Sequence, residues 1–322
     1  MLLAGRSAQL VRLAARALCR CCENILVKDM LWPGYRSIVE VECRRTRRTL
    51  TTLPIQQHIL EEHASSQEVV EKLVRSYRQQ DCDGLFLSAV THQGIRLPVR
   101  KLAEAAAAIR RPGFVVVDAA QAFSHAPLEL SAEYCNLAIA GCHKWRQAYH
   151  PMGLGFSCRP SSDTVIEDAC RDMLQRGEID DPLLSFSREL EMDACEPFSE
   201  TVSLVPLFTA SAAVGRIWRS DRCRREEFSC QVDNTDRLAE CSRATGWQPV
   251  RPDGPLRSGI LLLRARDTQT RSAPADTIRM AFRRWGISLT AYTGGLIRFS
   301  MPAAFLDGHA LQQIRSALVR CN

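Results

Sequence analysis

A run of three valines, Val115-Val116-Val117, ends in Asp118, and a second apolar run over 136–140 ends in Gly141-Cys142-His143-Lys144. Short β-branched runs of this kind, bounded by polar residues, read as strands buried on both faces of a parallel sheet. All strands of such a sheet end at one edge, where ligands bind. Asp118 and Lys144 should therefore meet there, a carboxylate and an amine at one edge. Lys144 is one of four lysines, with Lys28, Lys72 and Lys101, against thirty-eight arginines. An amine set among apolar and aromatic neighbours invites a chemical explanation rather than one of solubility alone.

The same alternation runs through the preceding residues. Periodicity predicts helix over 7–20, strand 25–28, helix 34–44, strand 49–53, helix 67–78, strand 84–89 and helix 98–109, then strands 113–117 and 136–140. Pro33, Pro98 and Pro112 fall at boundaries, where a missing amide hydrogen costs least. Strands separated by helices imply parallel pairing through right-handed crossovers, hence an α/β fold. Beyond Lys144 the pattern changes. Residues 160–200 read as helix and loop covering the site, 206–244 as a long helical region, and the rest as strand 259–265, helix 274–285, strands 286–290 and 296–301, and a closing helix 308–320. Two unequal lobes are expected, a large one over 1–205 and a small α+β one over 206–322.

Composition narrows the function. The net charge of +6 is spread among interspersed acids and arginines, with no basic run suited to nucleic acid, and no stretch is apolar for long enough to span a membrane. Fourteen cysteines scattered through a mid-sized α/β pattern, with no secretory signal, read as reduced and mostly buried, in a cytoplasmic protein. Cys19, Cys21 and Cys22 lack a second Cys/His pair at zinc-site spacing, so no metal is expected. Residues 1–22 carry four arginines and no acid, as a transit peptide does. The order loop, helix, strand Ile25-Leu26-Val27 favours instead a structural element beginning at Gly5-Arg6-Ser7-Ala8-Gln9.

With His150-Pro151-Met152-Gly153-Leu154-Gly155 following the lysine, these segments resemble the cofactor-binding core of the class V aminotransferases, a family that includes cysteine desulfurases and isopenicillin N epimerase. The resemblance extends over nearly the whole chain. Asp29-Met30-Leu31-Trp32-Pro33-Gly34-Tyr35-Arg36 is similar to the family's cofactor-stacking segment, Gly94-Ile95-Arg96-Leu97-Pro98 to its mid-domain turn, and Gly295-Leu296-Ile297-Arg298-Phe299-Ser300-Met301-Pro302 to its arginine strand. It implies a pyridoxal 5'-phosphate (PLP) enzyme of fold type I, with a mostly parallel central sheet and a smaller C-terminal lobe, working as a homodimer on a small amino-acid substrate. The family's relatives usually have several dozen more residues before the phosphate turn, so a more open pocket and weaker cofactor retention are expected here.

The resemblance also implies roles. Lys144 would hold the cofactor as a Schiff base and later move the Cα proton, and Asp118 would keep the pyridine nitrogen protonated. Gln121 matches the position that bonds the phenolic oxygen, His143 a histidine near the phosphate, Trp32 the ring stacked on the pyridine, and Arg298 the substrate-carboxylate arginine. Ser7, at the start of the first helix, would serve the phosphate with the backbone amides around it. Gly141 stands where many desulfurases carry a phosphate-binding serine, and residues 283–297 contain no cysteine to act as a sulfur nucleophile. An aminotransferase-like enzyme is the expected function. The alternative is a non-catalytic homologue that keeps the fold as an interaction module.

Overall fold

The computed structural model describes residues 1–191, 201–216 and 221–321. The first unit contains β1 (Leu2–Ala4), α1 (Ser7–Cys21), β2 (Asn24–Lys28), α2 (Pro33–Thr46), β3 (Thr49–Leu53), α3 (Gln56–Leu60), α4 (Ser66–Gln79), β4 (Gly84–Ser88) and α5 (Val99–Ala107). It continues through β5 (Phe114–Asp118), β6 (Leu137–Gly141), β7 (Gly153–Ser157), α6 (Pro160–Gln175) and α7 (Pro182–Glu191). Seven strands form one sheet in the order β1-β7-β6-β5-β4-β2-β3. The five strands from β6 to β3 run parallel, while β7 and β1 add an antiparallel edge. This is the α/β architecture expected from the alternating runs.

Both faces of the sheet are covered, which is why β4, β5 and β6 are buried along their whole length. Alternation divides their side chains. Leu85, Leu87, Val115 and Val117 join Leu73, Tyr77 and Leu102 of α4 and α5, whereas Phe86, Val116 and Ile139 join Leu10, Leu13 and Leu18 of α1. Helix α1 is buried over most of its surface, as a helix wedged between sheet and outer helices must be. Its one deeply buried charge is Arg16, 4% exposed, which pairs with Glu42 of α2, Asp172 of α6 and Glu178 just beyond α6. Residues 7–21 are thus built into the core of the fold.

Strand β7 was not anticipated, because its sequence Gly153-Leu154-Gly155-Phe156-Ser157 is poor in strand formers. The structure gives the reason for the glycines. A Cβ on Gly153 would lie 2.9 Å from Ser7 Cα, and one on Gly155 3.0 Å from Leu2 Cβ, so α1 and β1 can approach only a bare strand. Short β1, β8 and α3 were likewise not predicted.

Helix α8 (Val205–Arg216) sets Ala210 and Ala213 into the core of the first unit, and the second unit comprises α9 (Asp221–Arg243), β8 (Trp247–Val250), β9 (Ile260–Ala265), α10 (Thr268–Ser272), α11 (Ala275–Arg283), β10 (Thr290–Tyr292), β11 (Leu296–Ser300) and α12 (Gly308–Arg320). Its antiparallel sheet has the order β10-β11-β9-β8, around a separate core that includes Trp247, Leu261, Phe282 and Phe299. The strand expected over 286–290 lies instead at 290–292. Gly294 and Gly295, both with positive φ, make the turn, and register counted back from it pairs Tyr292 with Leu296. Parts of two expectations, the loop over 192–200 and the helical residues 217–220, lie outside the described residues, and the first of these adjoins the lobe boundary expected after 205. Among the described residues, no helix is long and apolar enough to cross a membrane.

The Arg16 cluster yields a stability prediction. Arg16→Met should lower stability at pH 7 by on the order of 3 kcal/mol, because three converging carboxylates lose their shared cation. Asp172 sits below the usual carboxylate range, through its bonds to Arg176 and Arg16, so its share is present above that range and is lost as pH falls through the lowered value. Urea unfolding at pH 7 and below about pH 4 should show the gap between variant and parent shrinking in acid. An unchanged midpoint at pH 7 would show that the cluster contributes nothing.

Candidate active site

Strands β2, β4 and β5 end side by side in Lys28, Ser88 and Asp118. Above these ends lies a cavity of about 250 Å³ whose walls include Trp32, Asp118, Gln121, Lys144 and Arg298. Five of the seven residues singled out in the sequence are therefore brought together, from the N-cap of α2, the end of β5 and the turn after it, the loop after β6, and β11 in the second sheet. Ser7 and His143 stand outside this lining. They flank Gly141, where a Cβ would lie 3.4 Å from the His143 ring and 3.5 Å from Ser7 Oγ.

Asp118 is 7% exposed and accepts one hydrogen bond, from the Ala120 amide at 3.0 Å. Burial pushes its proton affinity up, against the Ala120 amide and the two amines Lys144 and Lys28. Burial acts oppositely on Lys144, lowering it, with Asp118 raising it and Arg298 lowering it further. The carboxylate and the amine thus each hold the other's charged form in place inside an apolar wall.

The orientation of Gln121 follows from its neighbours. Its Oε1 accepts from Trp145 Nε1 at 3.0 Å, and an indole N–H can only donate, so the amide NH2 is left for the cavity. Trp145 is in turn stacked on His125, with ring centres 3.6 Å apart. His125 Nε2 accepts from the Gly259 amide at 3.0 Å, which requires the ring proton on Nδ1, 2.8 Å from the Gln121 carbonyl to which it donates. Burial lowers His125 to about 4, so the ring is neutral.

Arg298 donates to the His92 carbonyl at 3.3 Å and approaches the Tyr292 hydroxyl at 3.5 Å, while its buried Nε and the buried His92 Nδ1 have no partner. His92 lies edge-on to Trp32, with ring centres 5.2 Å apart, and is pushed down to about 4 by burial, then Arg298. Trp32 itself is 45% exposed and so is not a core tryptophan. At the start of α1, the Gly5 and Arg6 amides each donate at 3.0 Å to the carboxylate of Asp181, which also caps Leu184. Two donors of the turn read as an anion site are therefore already engaged.

Four site residues were not foreseen. Tyr35 lines the cavity one helical turn after Trp32, beside Ser7, and burial raises it to about 12. His92 and Tyr292 complete the wall next to Arg298. Lys28 ends its apolar run Ile25-Leu26-Val27 just as Asp118 ends its valines, and that parallel was the available signal. Cys142 is fully buried and its thiol is raised by burial, which makes it a packing residue rather than a nucleophile.

His125 gives a pH prediction. Its folded value of about 4 lies below the unfolded value near 6.5, so the neutral ring's contribution is complete above 6.5 and is lost as pH falls towards 4. His125→Phe keeps a ring against Trp145 but strands the Gly259 amide, which should cost about 1–2 kcal/mol at pH 7. The difference should narrow at pH 4.5 in urea titrations; a gap that widens in acid would contradict the assigned tautomer.

No protein-family model matches the chain, and no curated protein matches it in sequence. Solved structures do. Over 99% of its length the chain superposes on a ureidoglycine-glyoxylate aminotransferase from Bacillus subtilis, covering 78% of that chain at 13% identity with a TM-score of 0.70. The cysteine desulfurase CsdA from Escherichia coli gives 78% coverage, 12% identity and 0.71, again over 99% of this chain. An aspartate aminotransferase from Thermus thermophilus gives 84%, 14% and 0.67 over the same 99%. At such identities the likeness is one of fold, and the fold is the expected fold type I architecture.

Proposed function

We propose that this chain is a PLP-dependent enzyme acting on an amino acid, most like an aminotransferase. The observation that carries the reading is the buried Asp118 carboxylate and the buried-side Lys144 amine in one cavity, with a guanidinium from the second sheet closing it. Three features fit the cofactor and its substrate. The Gln121 amide presents NH2 where a phenolic oxygen needs a donor. Arg298 keeps an unpartnered buried Nε where a carboxylate needs one. The Ser7 hydroxyl and His143 ring flank the space that Gly141 leaves open. The structural relatives, which include aminotransferases and a protein with glycine linked to its PLP cofactor, support the same reading.

When bound, PLP supplies an aldehyde that condenses with amines and a ring that accepts electron density from Cα. The chain's residues do the rest. Lys144, its proton affinity lowered by burial, would hold the cofactor and then take and return the Cα proton. Asp118 would hold a proton on the ring nitrogen, and Trp32 would cover the ring. Arg298 fixes the substrate carboxylate by a charge-assisted, two-pronged contact. With the Gly5 and Arg6 amides given to Asp181, the phosphate falls to Ser7, His143 and the remaining first turn of α1. No cysteine stands in the turn before β11, and Cys142 is inert, so sulfur transfer is not favoured.

Added PLP should turn the purified chain yellow, and borohydride should fix the label on Lys144. Lys144→Ala should stay colourless yet folded; a variant that keeps the band removes Lys144 from this role. A parent chain that remains colourless with PLP favours the interaction module. Arg298→Ala should raise KM for amino acids on the order of 30-fold, the loss of one charge-assisted contact, while leaving the matching amines nearly unchanged. Equal effects on both would take Arg298 out of the site.

A further inference from the structure

Lys28 has no part in the chemistry just described, yet it is the most deeply buried amine of the site, 2% exposed at the end of β2. Its Nζ donates to the Ser88 carbonyl at 3.2 Å, and Ser88 is the register partner of Asp118 on the adjoining strand. Two carboxylates act on it, Asp118 and Asp29. Asp29 is committed elsewhere, accepting from the Ile55 and Gln56 amides at 3.2 to 3.3 Å. Asp118 is the larger of the two influences and Asp29 the smaller, and both are felt through space, since Lys28 forms no ion pair within contact distance among the described residues. The other groups around Asp118 are Lys144 across the cavity and the Tyr35 hydroxyl, with Arg298 and the neutral His92 lying beyond Lys144. One carboxylate thus faces two amines. A buried amine with a single carbonyl partner adds little to packing that a methionine would not, so its presence points to electrostatics.

We propose that Lys28 is a positioning residue acting through Asp118: its amine, held on the end of the strand that lies between its own and the one carrying the carboxylate, lowers the proton affinity of Asp118 and of any ring nitrogen bonded to it. The second half of this statement rests on the PLP reading. Burial lowers Lys28 itself to about 7, so its charge changes in the range where such an enzyme works. The consequence is an electron sink weaker than a lone carboxylate would create.

The test is a ¹³C NMR titration of the Asp118 carboxyl in the full chain without ligand, assigned with Asp118→Asn, for the parent, Lys28→Gln and Lys28→Met. Lys28→Gln keeps a donor for Ser88 without the charge. Both variants should bind the Asp118 proton roughly 10-fold more tightly, a shift of about one pH unit for one charge removed at this range. The parent resonance should also show a second inflection where Lys28 titrates, a measurement that needs no variant to fold. An unshifted Asp118 in both variants, a shift in Lys28→Met alone, or a parent titration with no second inflection each overturns the proposal. With PLP added, the pH profile of the visible band should move in both variants. A colourless parent with Asp118 still coupled to Lys28 would count against the PLP reading alone, and normal colour with an uncoupled Asp118 against this inference alone.

Discussion

The site depends on one carboxylate held in an apolar setting. Asp118 sits at the end of a strand buried on both faces, with a single amide as its direct hydrogen-bond donor. A charge so placed is tolerable only with opposite charge close by, and the fold supplies it from two other strand ends or the loops beyond them, Lys28 and Lys144. Burial lowers the proton affinity of both amines, and Asp118 acts on each in the opposite direction. The rest of the constellation follows from this mutual need. Strands must end level, the helices must close both faces, and the cavity must exclude enough water for the charges to sense one another.

The second sheet enters through main-chain contacts. Arg298 bonds the His92 carbonyl, Ser258 the Gly94 carbonyl at 2.7 Å, and the Arg96 amide the Leu256 carbonyl at 2.7 Å, while the Gly259 amide reaches His125. The sheet that brings the arginine is thus fastened to the segments that carry His92 and His125. Trp145 and His125 link the Gln121 amide to that fastening, so the direction of one side-chain amide and the seating of one lobe share a hydrogen-bond path.

Much of this was legible in the sequence because buried parallel strands leave a plain record. Val115-Val116-Val117 before Asp118, and the apolar run before Gly141, placed two strand ends and their polar residues correctly. Helices α1, α2, α4 and α5 were found within a few residues for the same reason, a steady period. Strand β7 escaped because its glycines are dictated by the approach of β1 and α1, which no local pattern encodes. The displaced β10 escaped because a turn with two positive-φ glycines sets its register from downstream. At the site, side chains that meet through tertiary contact alone, His92, Tyr292 and Tyr35, left no local trace. The engagement of the Gly5 and Arg6 amides by Asp181 could not be read either, since the partner lies 176 residues from Gly5.

That separation bears on how the first turn of α1 is held. The turn at Gly5 and Arg6 is completed only when α7 docks against β1, and β1 has a place only once β7 has joined β6. Closing so long a loop carries an entropy cost that local contacts do not. The helix end read as an anion site therefore takes its shape from a segment far along the chain, and any change that unseats Asp181 reaches the first turn of α1 without touching it in sequence.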